Sequence, residues 1–129
     1  MTSILGGATV FAKDVERVSR FYEAACSLVV SVREPGFHVL ENGPLQLVVV
    51  SIPEHIAREI QVSLPPQRRE DTALKLMFVV ASIASAREAA LERGGIIDPP
   101  EREWQFQAMR VCDGHDPEGN VIQVRENAL

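Results

Sequence analysis

One order of patterns runs through this chain twice. Residues 4–14 are small and apolar and read as a strand. Residues 14–26 place Val15, Val18, Phe21, Tyr22 and Ala25 at helical spacing behind Asp14, which suits a helix N-cap. Strand patterns follow at 28–34, 37–41 and 45–51, separated by the turn signals Pro35-Gly36 and Asn42-Gly43. After a polar stretch the order returns. Residues 73–81 read as a strand, and 82–95 as a helix opened by Ser82 and stopped by Gly94. "IIDPP" reads as a short strand and turn, 104–113 as a strand, "HDPEGN" as a turn and 121–126 as a strand. Each half is βαβββ. Letters repeat too: His38-x-x-Glu41 leading to Gln46 matches His115-x-x-Glu118 leading to Gln123. A duplicated unit of this kind constrains the fold more than any single motif. The expected class is α+β, built from tandem modules at about 1–60 and 73–129 with a linker at about 61–72.

Composition narrows the function classes. The chain has 129 residues, 46% hydrophobic and 24% charged, which suits one globular domain. Net charge is −5, which argues against a nucleic-acid partner. No apolar run is long enough to cross a membrane. The N-terminal residues lack a basic start and a long apolar segment, so a cytoplasmic location is expected. Cys26 and Cys112 have neither metal-ligand nor redox-motif spacing and read as packed thiols. Arg68 and Arg69, followed at once by two acids, read as a solvated loop. Pro53 is placed to open a short helix.

The duplicated pattern, "FAKDVERVSRFYEAACSL" near the start and "DPEGNVIQVRE" near the end together resemble the vicinal oxygen chelate superfamily, which includes glyoxalase I, bleomycin-resistance proteins and extradiol dioxygenases. The resemblance covers essentially the whole chain. It implies that the paired modules curl into a half-barrel cleft with helices on the convex side, and it implies a homodimer, with modules paired within one chain or exchanged between two.

Strand alternation assigns the faces. Ala8, Val10, Ala12, Leu45, Leu47, Val49, Leu76, Phe78, Val80, Ile122 and Val124 are expected to face helices. Thr9, Phe11, Gln46, Val48, Val50, Lys75, Met77, Val79, Val121, Gln123 and Arg125 are left for the cleft. Metal-using members of the resembled superfamily supply ligands from four strands, mainly His and Glu with an occasional Gln. The matching positions here are Gly7, Gln46, Lys75 and Gln123. One has no side chain, one is a cation, and two are amides. Divalent ions are held by carboxylate, imidazole or thiolate, so no metal and no cofactor is expected. An amide at Gln123 also cannot serve as the general base that a carboxylate would be.

The expected ligand-binding set is therefore Thr9, Phe11, Gln46, Val48, Lys75, Met77, Trp104 and Gln123, a mostly apolar pocket with a few orienting groups. Alternatives stand beside several of them. Gln46 and Gln123 can bond each other across the modules and fill space. Lys75 can be an ordinary salt-bridged lysine. Trp104 can stack on a planar ligand, close a dimer contact or simply pack. His38, on a strand and able to reach the cleft mouth, is the candidate acid/base residue, against a purely structural role. His115 reads as a loop residue, His55 as an exposed helical one, and DPEGN as only a turn.

Three functions follow. The first is a metal-free binding module for a small, partly apolar molecule. The bleomycin-resistance type is nearest in behaviour, though a cleft with Lys75 and no carboxylate does not match that cationic drug. The second is a lyase, isomerase or dioxygenase using other metal ligands, drawn from His38, His115 and Asp113. The third is a structural subunit whose cleft its own side chains fill.

Overall fold

Alternation of apolar and polar residues forces strands to lie on a core with one face, and helices between them close that core. The computed structural model describes residues 3–128. Its strands are β1 (Gly6–Ala12), β2 (Val29–Glu34), β3 (Phe37–Asn42), β4 (Leu45–Ser51), β5 (Leu76–Val79), β6 (Ile96–Ile97), β7 (Trp104–Phe106), β8 (Met109–His115) and β9 (Val121–Asn127). Its α-helices are α1 (Val15–Ala25), α2 (Glu54–Ala57) and α3 (Ile83–Glu92). The first sheet has the order β1-β4-β3-β2 and the second β5-β9-β8-β6, with β7 also on β8. In each sheet the first strand runs parallel to the last, and the other pairings are antiparallel. The architecture is α+β, with two open sheets that do not close into barrels. No described helix is long and apolar enough to cross a membrane.

The two helix starts behave as their sequences require. Asp14 accepts from the Arg17 amide at 3.0 Å, and Ser82 from the Ser85 amide at 3.1 Å. Glu126 adds a second cap, accepting from the Ile83 amide at 2.8 Å. Pro53 does precede a short helix, α2.

The second module departs from the expected strands in one place. Residues 104–113 are not one strand. The chain reverses at Gln107, whose φ is 56°, giving β7 and β8 as a hairpin. No glycine, proline or Asn-Gly pair marks that turn, so the pattern alone runs through it. β6 pairs with the His115 end of β8 and β7 with the Met109 end. Together they occupy the place that β2 holds along β3, and the βαβββ plan survives with a broken outer strand.

The repeated letters need a correction. Gln46 lies opposite Glu41 and beside Gly7, while Gln123 lies opposite Asp113 and beside Met77. The two glutamines are equivalent. His38, however, faces Val49, and the matching residue in the second sheet is Arg110 opposite Glu126. His115 ends β8, and Glu118 lies in the turn. The cause is turn length: residues 43–44 join β3 to β4, whereas residues 116–120 join β8 to β9.

The helix sides of both sheets converge on one core. Val10, Ala12, Leu47 and Val49 from the first sheet share it with Phe78, Val80, Ile122 and Val124 from the second. Phe21 and Tyr22 of α1, fully buried, sit at the join, with the Tyr22 ring 5.6 Å from Phe78. Each buried ring contributes roughly 2–3 kcal/mol through burial alone.

DPEGN is more than the turn expected of it. Asp116 is fully buried and accepts four hydrogen bonds: from Tyr22 Oη at 2.8 Å, the Glu118 amide at 2.8 Å, the Asn120 amide at 3.1 Å and Asn120 Nδ2 at 2.8 Å. Burial and the neighbouring Asp116 push the Tyr22 hydroxyl well above its ordinary pKa, so it stays a donor. Glu118 reaches back to the first module and accepts from the amides of Lys13 at 2.9 Å and Asp14 at 2.8 Å. Gly119 has φ 87°, and a Cβ there would lie 2.1 Å from the Gln67 carbonyl oxygen. The stretch following α2 is pinned at that point by the Arg69 amide bonding Gly119 O at 2.9 Å. The stretches around Asp14 and DPEGN are thus physically one clamp between modules.

Candidate functional site

The faces turned away from the shared core carry the residues expected to line a cleft, and the strand phase is as alternation predicts. In β1, Val10 is 8% exposed and Phe11 62%; in β5, Phe78 is 3% exposed and Met77 43%. Thr9, Gln46, Val48, Lys75, Met77, Val79, Val121 and Arg125 all keep some exposure on these outward faces.

On the first sheet, Gln46 Nε2 donates to Glu41 Oε2 at 3.4 Å, and Ser31 Oγ donates to the same oxygen at 3.0 Å. A cavity of about 510 Å³ opens beside them, lined by Ile4, Leu5, Gly7, Thr9, Gln46 and Val48. On the second sheet the equivalent amide is held more tightly. Gln123 Nε2 donates to Asp113 Oδ1 at 3.2 Å, and Gln123 Oε1 accepts from Arg125 Nε at 2.7 Å. Lys75 Nζ lies 2.9 Å from Asp113 Oδ2. The Arg125 guanidinium lies over the Phe106 ring, 5.2 Å from its centre. A cavity of about 350 Å³ lies at the Lys75 end, lined by Arg68, Thr72, Leu74, Lys75, Asp113 and Val121. A third, also about 350 Å³, runs along the seam where Thr9, Phe11 and Tyr22 approach Leu74, Leu76 and Val121.

The two glutamines do not bond each other. Each is paired with a carboxylate across its own hairpin, Glu41 or Asp113, and sequence reading missed both carboxylates as face residues. Glu41 faces Gln46 because Gly43 and Pro44 form the loop and Asn42 pairs with Leu45; an Asn42-Gly43 loop would set Glu41 opposite Pro44 instead. Asp113 was hidden by the longer second turn. Alternation places Arg125 on this face but assigns it no role. Phe106 carried no signal, because the β7 turn was invisible. Trp104 is 41% exposed at the sheet edge opposite Val111.

The histidines sit elsewhere than expected. His38 does not reach the cleft mouth: it is 5% exposed on the helix side of β3, with Nε2 3.5 Å from Glu16 of α1. His115 is not a loop residue but ends β8, 6% exposed, accepting at Nδ1 from Arg68 Nε at 2.9 Å. Its Nε2 is buried without a partner among the described residues. Burial and the adjacent Arg68 lower its pKa, so it is held neutral. Arg68 is no solvated loop residue either. It forks onto Asp98 at 2.6 and 3.0 Å and ties the connecting segment to the second module. Cys26 and Cys112 are buried, free thiols, and burial raises both pKa values.

The superfamily's metal can be tested against these residues. At Gly7 a Cβ would stand 1.8 Å from the Gln46 carbonyl oxygen, so no side chain fits there without moving the strands. Lys75 is an ammonium engaged with Asp113, and Gln123 has both ends engaged. No group of three or more His, Cys, Asp or Glu side chains able to hold an ion occurs among the described residues. The donor set does not fit a divalent metal.

Comparison with known proteins agrees with the fold. A family model described as a glyoxalase-like domain matches residues 8–125. No curated protein matches the chain. Among solved structures, a glyoxalase/bleomycin resistance protein/dioxygenase family enzyme from Burkholderia phytofirmans PsJN is 18% identical over 97% of this chain and 99% of its own, with a TM-score of 0.67. The fosfomycin resistance protein FosX from Mesorhizobium loti is 14% identical over 100% of this chain and 96% of its own, with a TM-score of 0.64. A bleomycin resistance determinant encoded on the transposon Tn5 is 18% identical over 95% of this chain and 97% of its own, with a TM-score of 0.60. With the family model spanning nearly the whole chain and these folds superposing end to end, the protein belongs to the glyoxalase-like family of the vicinal oxygen chelate superfamily.

Proposed function

We propose that this chain is a metal-free binding member of its family, holding a small, partly apolar molecule on the outward faces of its sheets, and that it works as a cytoplasmic homodimer. The observation that carries this reading is the state of the four superfamily ligand positions: a glycine with no room for a side chain, two amides bonded to carboxylates, and a lysine bonded to Asp113. Exposed apolar residues support both halves of the reading. Phe11, Met77, Val79, Trp104 and Phe106 all stand open to solvent in the single chain, on or beside the faces that would receive a ligand or a second copy. Contacts from Thr9, Phe11, Gln46, Val48, Lys75, Met77, Trp104 and Gln123 are the ones this reading assigns to the ligand.

A metal-dependent lyase, isomerase or dioxygenase would need ligands from other positions. The residues left for that role do not favour it. His38 lies on the helix side of the first sheet, His115 is bonded to Arg68, and Asp113 is paired with Lys75. A test is a melting-temperature screen against small neutral and charged apolar compounds. A native-state ligand at a hundred times its Kd adds about 2.7 kcal/mol of stability, a rise of several degrees. A flat response across the screen counts against ligand binding and favours a structural subunit.

A further inference from the structure

Arg125 has donors on the open face that nothing among the described residues takes up. Its guanidinium is fixed along one edge by Gln123 Oε1 at 2.7 Å and on one side by the Phe106 ring at 5.2 Å. Among the described residues no acceptor bonds its two terminal nitrogens. A guanidinium held this way presents its remaining fork in a set direction, and that fork matches the paired oxygens of a carboxylate or phosphoryl group.

The surroundings agree in charge and in shape. Asp113, the carboxylate in the neighbouring row, is answered by Lys75 at 2.9 Å, which leaves Arg125 as the excess cation of that network. Registered strands put Val79, Arg125, Val111 and Trp104 in one row across the sheet, with their side chains on one face. Met77 and Gln123 make the next row on one side, and Phe106 lies on the other. Val79 is 48% exposed, Phe106 47%, Met77 43% and Trp104 41%, so the cation is set in open apolar and aromatic surface. An inorganic anion would leave that surface unused, and a neutral ring would leave the fork unused.

We propose that this row binds an organic oxyanion with a flat apolar body. The carboxylate or phosphoryl group sits on the Arg125 fork, and the body lies across Val79 and Met77 or toward Trp104. The proposal rests on the small-molecule reading above and names the class of its ligand.

The test is calorimetric titration of the full chain, at low salt, with benzoate, phenylphosphonate, benzamide and benzylamine. The expected result is at least one oxyanion binding tenfold or more tighter than benzamide, with benzylamine weakest. The stronger of the two oxyanions identifies the group. Arg125→Gln should bring the oxyanion down to the benzamide level, and Arg125→Lys should recover part of the difference. Equal binding of benzamide and the oxyanions, or a preference that survives Arg125→Gln, overturns the anion assignment while leaving the small-molecule reading standing. No binding by any of the four probes, together with a flat melting screen, overturns both.

Discussion

The two sheets share a skeleton and differ in charge. Each has a glutamine on its last strand facing a carboxylate across the hairpin, Gln46 with Glu41 and Gln123 with Asp113. On the first sheet no cation among the described residues bonds that carboxylate; Ser31 and Gln46 do. On the second, Lys75 bonds it and Arg125 bonds the amide. The same hydrogen-bonding unit recurs in both sheets, while the residues around it make one face acidic and give the other a cation to spare. The lesson is that equivalent positions in a repeated fold need not do equivalent work.

The largest way to break this comparison is at the strand positions beside the two glutamines. Gly7→Ala places a methyl against the Gln46 carbonyl, so β1 and β4 must part; the expected loss is about 2 kcal/mol or more by urea denaturation. Met77→Ala, beside Gln123 on an open surface, should cost less than about 1 kcal/mol. Equal losses would mean that the first sheet is not closed at Gly7.

A smaller effect sharpens the charge difference. Gln46→Glu sets two carboxylates opposite each other with no bonded cation, and should destabilise by up to about 1 kcal/mol near pH 7. Gln123→Glu meets Asp113 too, but with Lys75 and Arg125 at hand it should cost a few tenths, roughly a third as much. The reverse order would contradict the assigned networks.

The smallest effect belongs to the second module alone. His115 is held neutral in the folded chain by burial and by Arg68, so its folded pKa lies below the ordinary value of 6.5. The unfolded chain therefore binds a proton first as pH falls. The contribution is fully present above about 6.5 and fades as pH drops toward the folded pKa. The melting temperature should decline from pH 7 to 5, and His115→Asn should flatten that decline. An unchanged slope in the variant would remove His115 as its source.

How much of this was legible in the sequence depends on turn length. The order of elements and their strand phases could be read from alternation and turn signals, because period-two patterns fix faces wherever one side is buried. The partners across the two hairpins could not. A five-residue turn moved His115 and Glu118 away from where letter matching put them, and an unmarked reversal at Gln107 hid the place of Phe106. DPEGN shows the other limit. Its turn chemistry was visible, but its grip on Tyr22 and on the Lys13 and Asp14 amides joins residues about a hundred positions apart, and only the packed core brings them together.

The most direct measurement is elemental analysis of the purified, untagged protein before and after incubation with Fe²⁺, Ni²⁺, Zn²⁺ and Mn²⁺ and desalting. The account predicts less than roughly a tenth of an equivalent of any metal, the level expected when no site reaches even micromolar affinity. Close to one equivalent of a single metal would contradict it and would place a working metal centre where glycine, lysine and two engaged amides now argue against one.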